Sequence, residues 1–273
     1  MEKSMNYFIR SIAVHRNGYL LASVVGIFYW IPMTWWILDL LVLEGLSIPW
    51  NLSLGVLFFR TFMLSLLCSL MSVVAAYPAV LLWRFSSGLS QKVLIVLTVL
   101  PLLMGLLSRN YSWIGLFSNE TVNSVTNLLL FGKNFLYTPA AVVVVMTSIF
   151  VPLSFFILLQ GVASIRQEQI DAARTLGVSD SRILLTVVLP QTYRAAMLAC
   201  SFTFALAIGF FVTPKMIGGG NVDFIGNIIL LYVEIGKFNK ASGIGLLFLL
   251  VFLVPGTFVT WYLFRYRQLT SGR

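Results

Sequence analysis

Six predominantly apolar stretches of this chain carry no Asp, Glu, Lys or Arg: residues 17–38, 61–83, 93–108, 134–165, 195–214 and 241–264. A helix that crosses a bilayer needs ~20 mostly apolar residues, and in hydrocarbon only a helix or a closed barrel satisfies its own backbone. Five of the six stretches are long enough; the third, 93–108, is short. With 59% hydrophobic and 10% charged residues and a mean hydropathy of +0.94, the chain lies outside the soluble-globular range. These features predict an all-α integral membrane protein with six spans in one domain, 19–264. An interfacial helix at 1–18 precedes it, with Met5, Phe8, Ile9, Ile12 and Ala13 on one face, and a tail at 265–273 follows.

The short third stretch contains Pro101 and ends at Arg109, which predicts a kinked helix whose outer end is anchored at the interface. Residues 45–59 are uncharged too, but Ser47, Pro49, Asn51, Ser53 and Gly55 make a poor span. They read as an outer-surface segment leading into the second helix. Placing the N-terminus inside leaves only Arg60, Arg109, Lys133, Lys215, Lys237 and Lys240, of 18 Lys and Arg, on the outer side. The positive-inside rule then puts both termini in the cytoplasm. It also puts the polar segment 166–192 there.

Within that segment, residues 171–190 read DAARTLGVSDSRILLTVVLP. A helix from Ile170 to Gly177 would set Ile170, Ala173, Leu176 and Gly177 on one face, small enough for another protein to approach closely. Asp171 and Arg174 would pair at i,i+3. Gly177 can take positive φ and end the helix, and Ser179 would cap the next one, with Asp180 in its first turn. The expectation is helix, turn, helix.

The spacing of Asp171, Ala172, Ala173, Gly177, Val187, Leu189 and Pro190 resembles the EAA loop of bacterial ABC importer permeases, with Asp for the usual Glu and Val for the usual Ile. YPAVLLWR at 77–84, Pro101 with RNYSWIGL, YTPAAVVVV at 137–145 and FVTPKMIGG at 211–219 are similar to segments of spermidine/putrescine-type permeases, in the same order. This resemblance implies the six-helix MetI-like fold of type I importers and a multi-pass subunit of the bacterial inner membrane. It implies transport of a polyamine, opine or related amino-acid-like solute, delivered by an extracytoplasmic binding protein. A second permease, homologous or identical, and two ATPase subunits would complete the assembly. In that family the 171–190 loop couples ATPase closure to alternating access.

No phosphate-cradling GxxxxGK[ST] sequence is present, since Gly236-Lys237 runs into Phe238. The chain is accordingly read as a transport subunit and not an enzyme, with no cofactor of its own; ATP and Mg would bind the partner ATPase. His15 is the one histidine, so Ser/His and metal-histidine constellations are not available. Cys68 and Cys200 read as small hydrophobes inside spans. The formal charge of +9 is spread over short loops, so topology and anionic lipid explain it without nucleic acid. An ion-coupled secondary transporter is the alternative, although none of the nine Asp and Glu residues falls inside the six stretches. A membrane scaffold without transport is a third class, and it would have no need of the docking block.

For the pathway, Arg109, Tyr111 and Trp113 read either as interfacial anchors or as the lining of a pore mouth. Thr213, Pro214 and Lys215 precede Gly218–Gly220, which reads as a flexible outer loop or part of a gate. Lys215 stands where relatives of this type commonly carry an apolar residue. At the outer mouth it would suit a carboxylate-bearing solute, or it snorkels to the interface.

Overall fold

A helix from Leu52 to Phe85 (α1) forms the spine of the described structure. The computed structural model describes residues 34, 52–122, 124 and 135–251. The expected interfacial helix, first span, second half of the last span and tail lie outside them. The described residues fall into two compact units, one spanning Trp50–Leu231 and one that includes 232–251. All secondary structure in the described residues is helical.

After α1 come α2 (Leu89–Leu103), α3 (Leu106–Phe117), α4 (Pro139–Ala163), α5 (Gln167–Thr175) and α6 (Asp180–Ile183). One widened, π-type turn (Leu184–Val188) leads into α7 (Leu189–Ile208), followed by α8 (Val212–Gly218) and α9 (Ile225–Glu234). A final apolar helix, α10, is Phe238–Val251. The helices at 53–85 and 139–163 are each long and apolar enough to cross a membrane. The pairs α2–α3 and α7–α8 pass the same test together, bent by 98° and 68°.

Lipid tails are as apolar as leucine, so hydrophobicity alone does not tell spans where to meet; small and hydroxyl residues do. Along α1, Thr61, Ser65, Cys68, Ser69, Ser72 and Ala76 are fully buried in a stripe of helical spacing. Ser72 Oγ lies 3.0 Å from Ser154 Oγ of α4. Ser69 Oγ lies 3.5 Å from Cys200 Sγ of α7, and Tyr77 Oη lies 3.1 Å from Thr192 Oγ1. Where α4 crosses α7, a Cβ on Gly161 would collide with that of Ala195. These contacts bind α1, α4 and α7 into one bundle. Both cysteines are free, with Cys68 fully buried and Cys200 half-buried.

Four sequence readings are corrected. The chain does not kink at Pro101: α2 runs through it and breaks at Met104–Gly105, both extended. Arg109 then lies inside the second arm, buried at 8% exposure, and not at the end of a helix. Residues 52–59, expected outside the span, are the first turns of α1. The stretch 195–214 is not one straight span: α7 begins before Arg194, and the chain bends before Thr213. Charge spacing marks where helices can lie in lipid, but it is blind to helical turns that continue past a charge.

Candidate functional site

The 167–190 block is held to the bundle by two isoleucines. Ile170 of α5 and Ile183 of α6 are buried at 1% and 0% exposure in a cluster with Val80 of α1, Leu158 and Val162 of α4, and Val188. Arg84, in the last turn of α1, donates from Nη2 to the Ile165 carbonyl at 3.0 Å. Gln191 Nε2 donates to Gln169 Oε1 at 3.0 Å, joining the start of α7 to α5. Neither polar link was foreseen from the sequence, where no local pattern pairs residues so far apart.

The turn has a specific chemistry. Gly177 N–H donates to the Arg174 carbonyl (2.9 Å) and Val178 N–H to the Ala173 carbonyl (3.1 Å). This is the Schellman arrangement, which satisfies the last carbonyls of α5 and needs a left-handed residue after the C-cap. Gly177 supplies it, with φ 77. The apolar contact that accompanies such a turn falls to Ala173 and Val178, both packed against the Ile170 cluster. The Ser179 carbonyl then accepts from the Arg182 and Ile183 amides, opening α6. Asp171 and Arg174 pair at 3.9 Å with both side chains well exposed, so the pair contributes less than ~0.5 kcal/mol.

This geometry corrects the expected docking face. Ala173 is half-buried and turned toward the core with Ile170, whereas Leu176, assigned to the same face, is 83% exposed. Helical spacing groups the four residues. The turn separates them, because Leu176 is the cap where α5 has already ended. Asp171, Ala172, Arg174 and Thr175 are exposed with Leu176 and Gly177, and together they form the outward surface of this turn.

Val187, Leu189 and Pro190 lie at the widened turn. The Leu189 amide donates to the Leu184 carbonyl, five residues back, just before Pro190, whose ring has no N–H to give. Widening moves the preceding carbonyls out of the ring's way. Val187 is half-buried, and Leu189 and Pro190 are exposed. From Asp180 to Ile208 the chain is thus continuously helical, and the turn at Gly177 feeds directly into a span.

The residues read as a pathway differ in exposure and sit on two helices, α3 and α8, that pack against each other. Arg109 is buried, Tyr111 is 65% exposed, and Trp113 donates from Nε1 to Ser148 Oγ of α4 at 3.1 Å while stacking on Phe117. Thr213 and Pro214 are buried in α8, which packs against α3 and α4, and Lys215 is exposed. Arg109 Nε, Asn110 Oδ1 and Thr213 Oγ1 are buried without a hydrogen-bond partner. Gly218 and Gly219 are packed, not loose: Gly219 takes φ 54 against the Tyr137 ring, and the Tyr137 amide donates to the Ile217 carbonyl.

The chain is 24% identical over 198 residues to the spermidine/putrescine transport system permease protein PotB of Haemophilus influenzae, covering 69% of this chain and 68% of that protein. It is 27% identical over 114 residues to the Escherichia coli protein of that name, covering 41% and 42%. A solved bacterial ABC transporter involved in the import of the acidic polysaccharide alginate superimposes with a TM-score of 0.60 over 91% of this chain and 94% of that one. Its identity is 15%, so that likeness concerns the fold. The family model described as "binding-protein-dependent transport system inner membrane component" matches residues 15–268, so the chain belongs to this family of ABC importer permeases and not to the ion-coupled transporters.

Proposed function

We propose that this permease is a six-span subunit with both termini in the cytoplasm, coupled to its ATPase through the outward surface of the 167–190 block. In this reading α1, the α2–α3 pair, α4 and the α7–α8 pair are four of the six spans, which their length and apolar composition support. The Lys and Arg distribution supports the orientation. It pairs with a second, homologous or identical permease, rests on two ATPase subunits that bind ATP and Mg, and receives solute from an extracytoplasmic binding protein.

One observation carries the coupling role: a large apolar side chain, Leu176, stands 83% exposed at the tip of a polar loop whose base is locked into the core. An isolated permease gains nothing from exposing it there, and a partner surface would bury it. When ATP binding draws the ATPases together, the displaced turn moves α6. That motion passes through the continuous helix into α7 and, across the 68° bend, into α8 with Thr213, Pro214 and Lys215.

The solute is a small organic compound of the polyamine, opine or amino-acid-like class. The relatives support the polyamine member; an exposed Lys215 favours a carboxylate-bearing one. Uptake of labelled spermidine against a carboxylate solute by the reconstituted system, with Lys215→Glu alongside, separates them. For coupling, Leu176→Asp places a charge in the proposed interface and is expected to lower ATPase co-purification about tenfold or more. Normal stoichiometry and normal uptake in that variant would overturn the role.

A further inference from the structure

A cavity of about 280 Å³ lies where the end of α1 and the start of α2 meet α5, and the coupling role leaves it unused. Arg84, Phe85, Ser86, Gln91, Gln167 and Arg174 line it, so both charged lining groups are cations. The amide groups are already directed: Gln91 Nε2 donates to the Trp83 and Ser86 carbonyls, and Gln167 Nε2 to Asp171 Oδ1. Arg84 is fixed by its Nη2 bond to the Ile165 carbonyl, and its buried Nε has no acceptor among the described residues. A guanidinium does not give up its proton, so Arg84 and Arg174 both keep their charge and together favour an anionic acceptor in the cavity. Arg174 stands over the Phe85 ring, 5.8 Å from its centroid, and Asp171 Oδ1 lies 3.9 Å from its Nη1.

Depth identifies the source of that acceptor. Arg60 and Arg84 bracket the charge-free stretch 61–83 of α1, which at 1.5 Å per residue is ~35 Å long, close to the ~30 Å of bilayer hydrocarbon. With 61–83 in the hydrocarbon, Arg84 sits at headgroup level. The volume falls just below the ~300 Å³ at which small-molecule sites usually begin, room for a phosphate ester and too little for a nucleotide. We propose that this cavity binds a phosphate-ester anion, supplied by the headgroup of an anionic phospholipid, and that its occupancy ties α5 to α1. The proposal rests on the membrane placement of the chain and is independent of ATPase docking. It is read out without the ATPase, so its failure leaves the coupling role standing.

The test is native mass spectrometry of the purified full chain in neutral detergent with equal phosphatidylglycerol and phosphatidylcholine of matched acyl chains, and separately with glycerol 3-phosphate. Preferential retention of phosphatidylglycerol, reduced about 5-fold by Arg84→Gln and again by Arg174→Gln, is expected. Arg84→Gln also gives up the bond to Ile165, so Arg174→Gln, at an exposed position, keeps the test decisive if the first variant does not fold. Binding of glycerol 3-phosphate without lipid preference, lost in the same variants, would support the site and assign it to a soluble phosphate ester. Equal retention of both lipids with no glycerol 3-phosphate binding, or a preference unchanged in the variants, overturns it.

Discussion

At the Arg84 end of α1, Gly177 turns the chain in open space; at the Arg60 end, Gly219 turns it against a wall. Both hold positive φ, 77 and 54. A Cβ on Gly177 would meet nothing within 4 Å, whereas one on Gly219 would collide with the Tyr137 ring. The first glycine is required for conformation alone, and the open space around it leaves a surface for a partner. The second is required for conformation and room, because Arg60 Nη2 on the Asn221 carbonyl (2.9 Å) and Thr61 Oγ1 beneath the Ile225 amide (3.2 Å) draw that loop down onto α1. One end is shaped to be met from outside, the other to be closed from within.

The largest effect expected from this contrast is at the closed end. Gly219→Val adds overpacking to backbone strain and should cost about 3 kcal/mol or more, read as a lowered thermal midpoint of the full chain in detergent. A midpoint like that of Gly177→Val would erase the distinction. Next, within the open end, Ile170→Ala should cost roughly 2–4 kcal/mol because it empties a buried site, while Leu176→Ala, six residues on, should stay within ~0.5 kcal/mol in the same assay. Equal losses would mean that Leu176 is buried within the permease itself.

Smaller again is Gly177→Val, about 1–2 kcal/mol of strain with membrane insertion intact, but with uptake by the assembled transporter strongly reduced. Wild-type uptake would show that the turn geometry does not matter to transport. The smallest is Tyr77→Phe, which removes the contact with Thr192 and should cost about 0.6 kcal/mol, typical of a hydrogen bond between membrane helices. No shift would leave the small-residue stripe, and not its hydroxyls, as what binds α1 to α7.

The open end was legible because its signals are local. The i,i+3 pair of Asp171 with Arg174 and the positive φ of Gly177 just after the helix are each decided within a few residues. Which of Ala173 and Leu176 faces the core was not legible. That depends on where α5 docks on α1 and α4, which spacing does not encode. A different reason hid α9: Asp223 and Glu234 enclose an uncharged segment too short to register as a span, and the link at its start, the Ile225 amide on Thr61 Oγ1, joins residues far apart in sequence. The bend at Met104–Gly105 was misplaced to Pro101 because proline is a visible breaker, although Gly105, four residues on, is a breaker too and is where the second arm starts.

The central claim, that the surface around Leu176 meets the ATPase while Ala173 faces inward, is tested most directly by site-specific photo-crosslinking in the assembled transporter. A photoreactive side chain introduced in place of Leu176 should capture the ATPase subunit, and one in place of Ala173 should capture only this chain. Capture of the ATPase from position 173 and not from 176 would contradict the account.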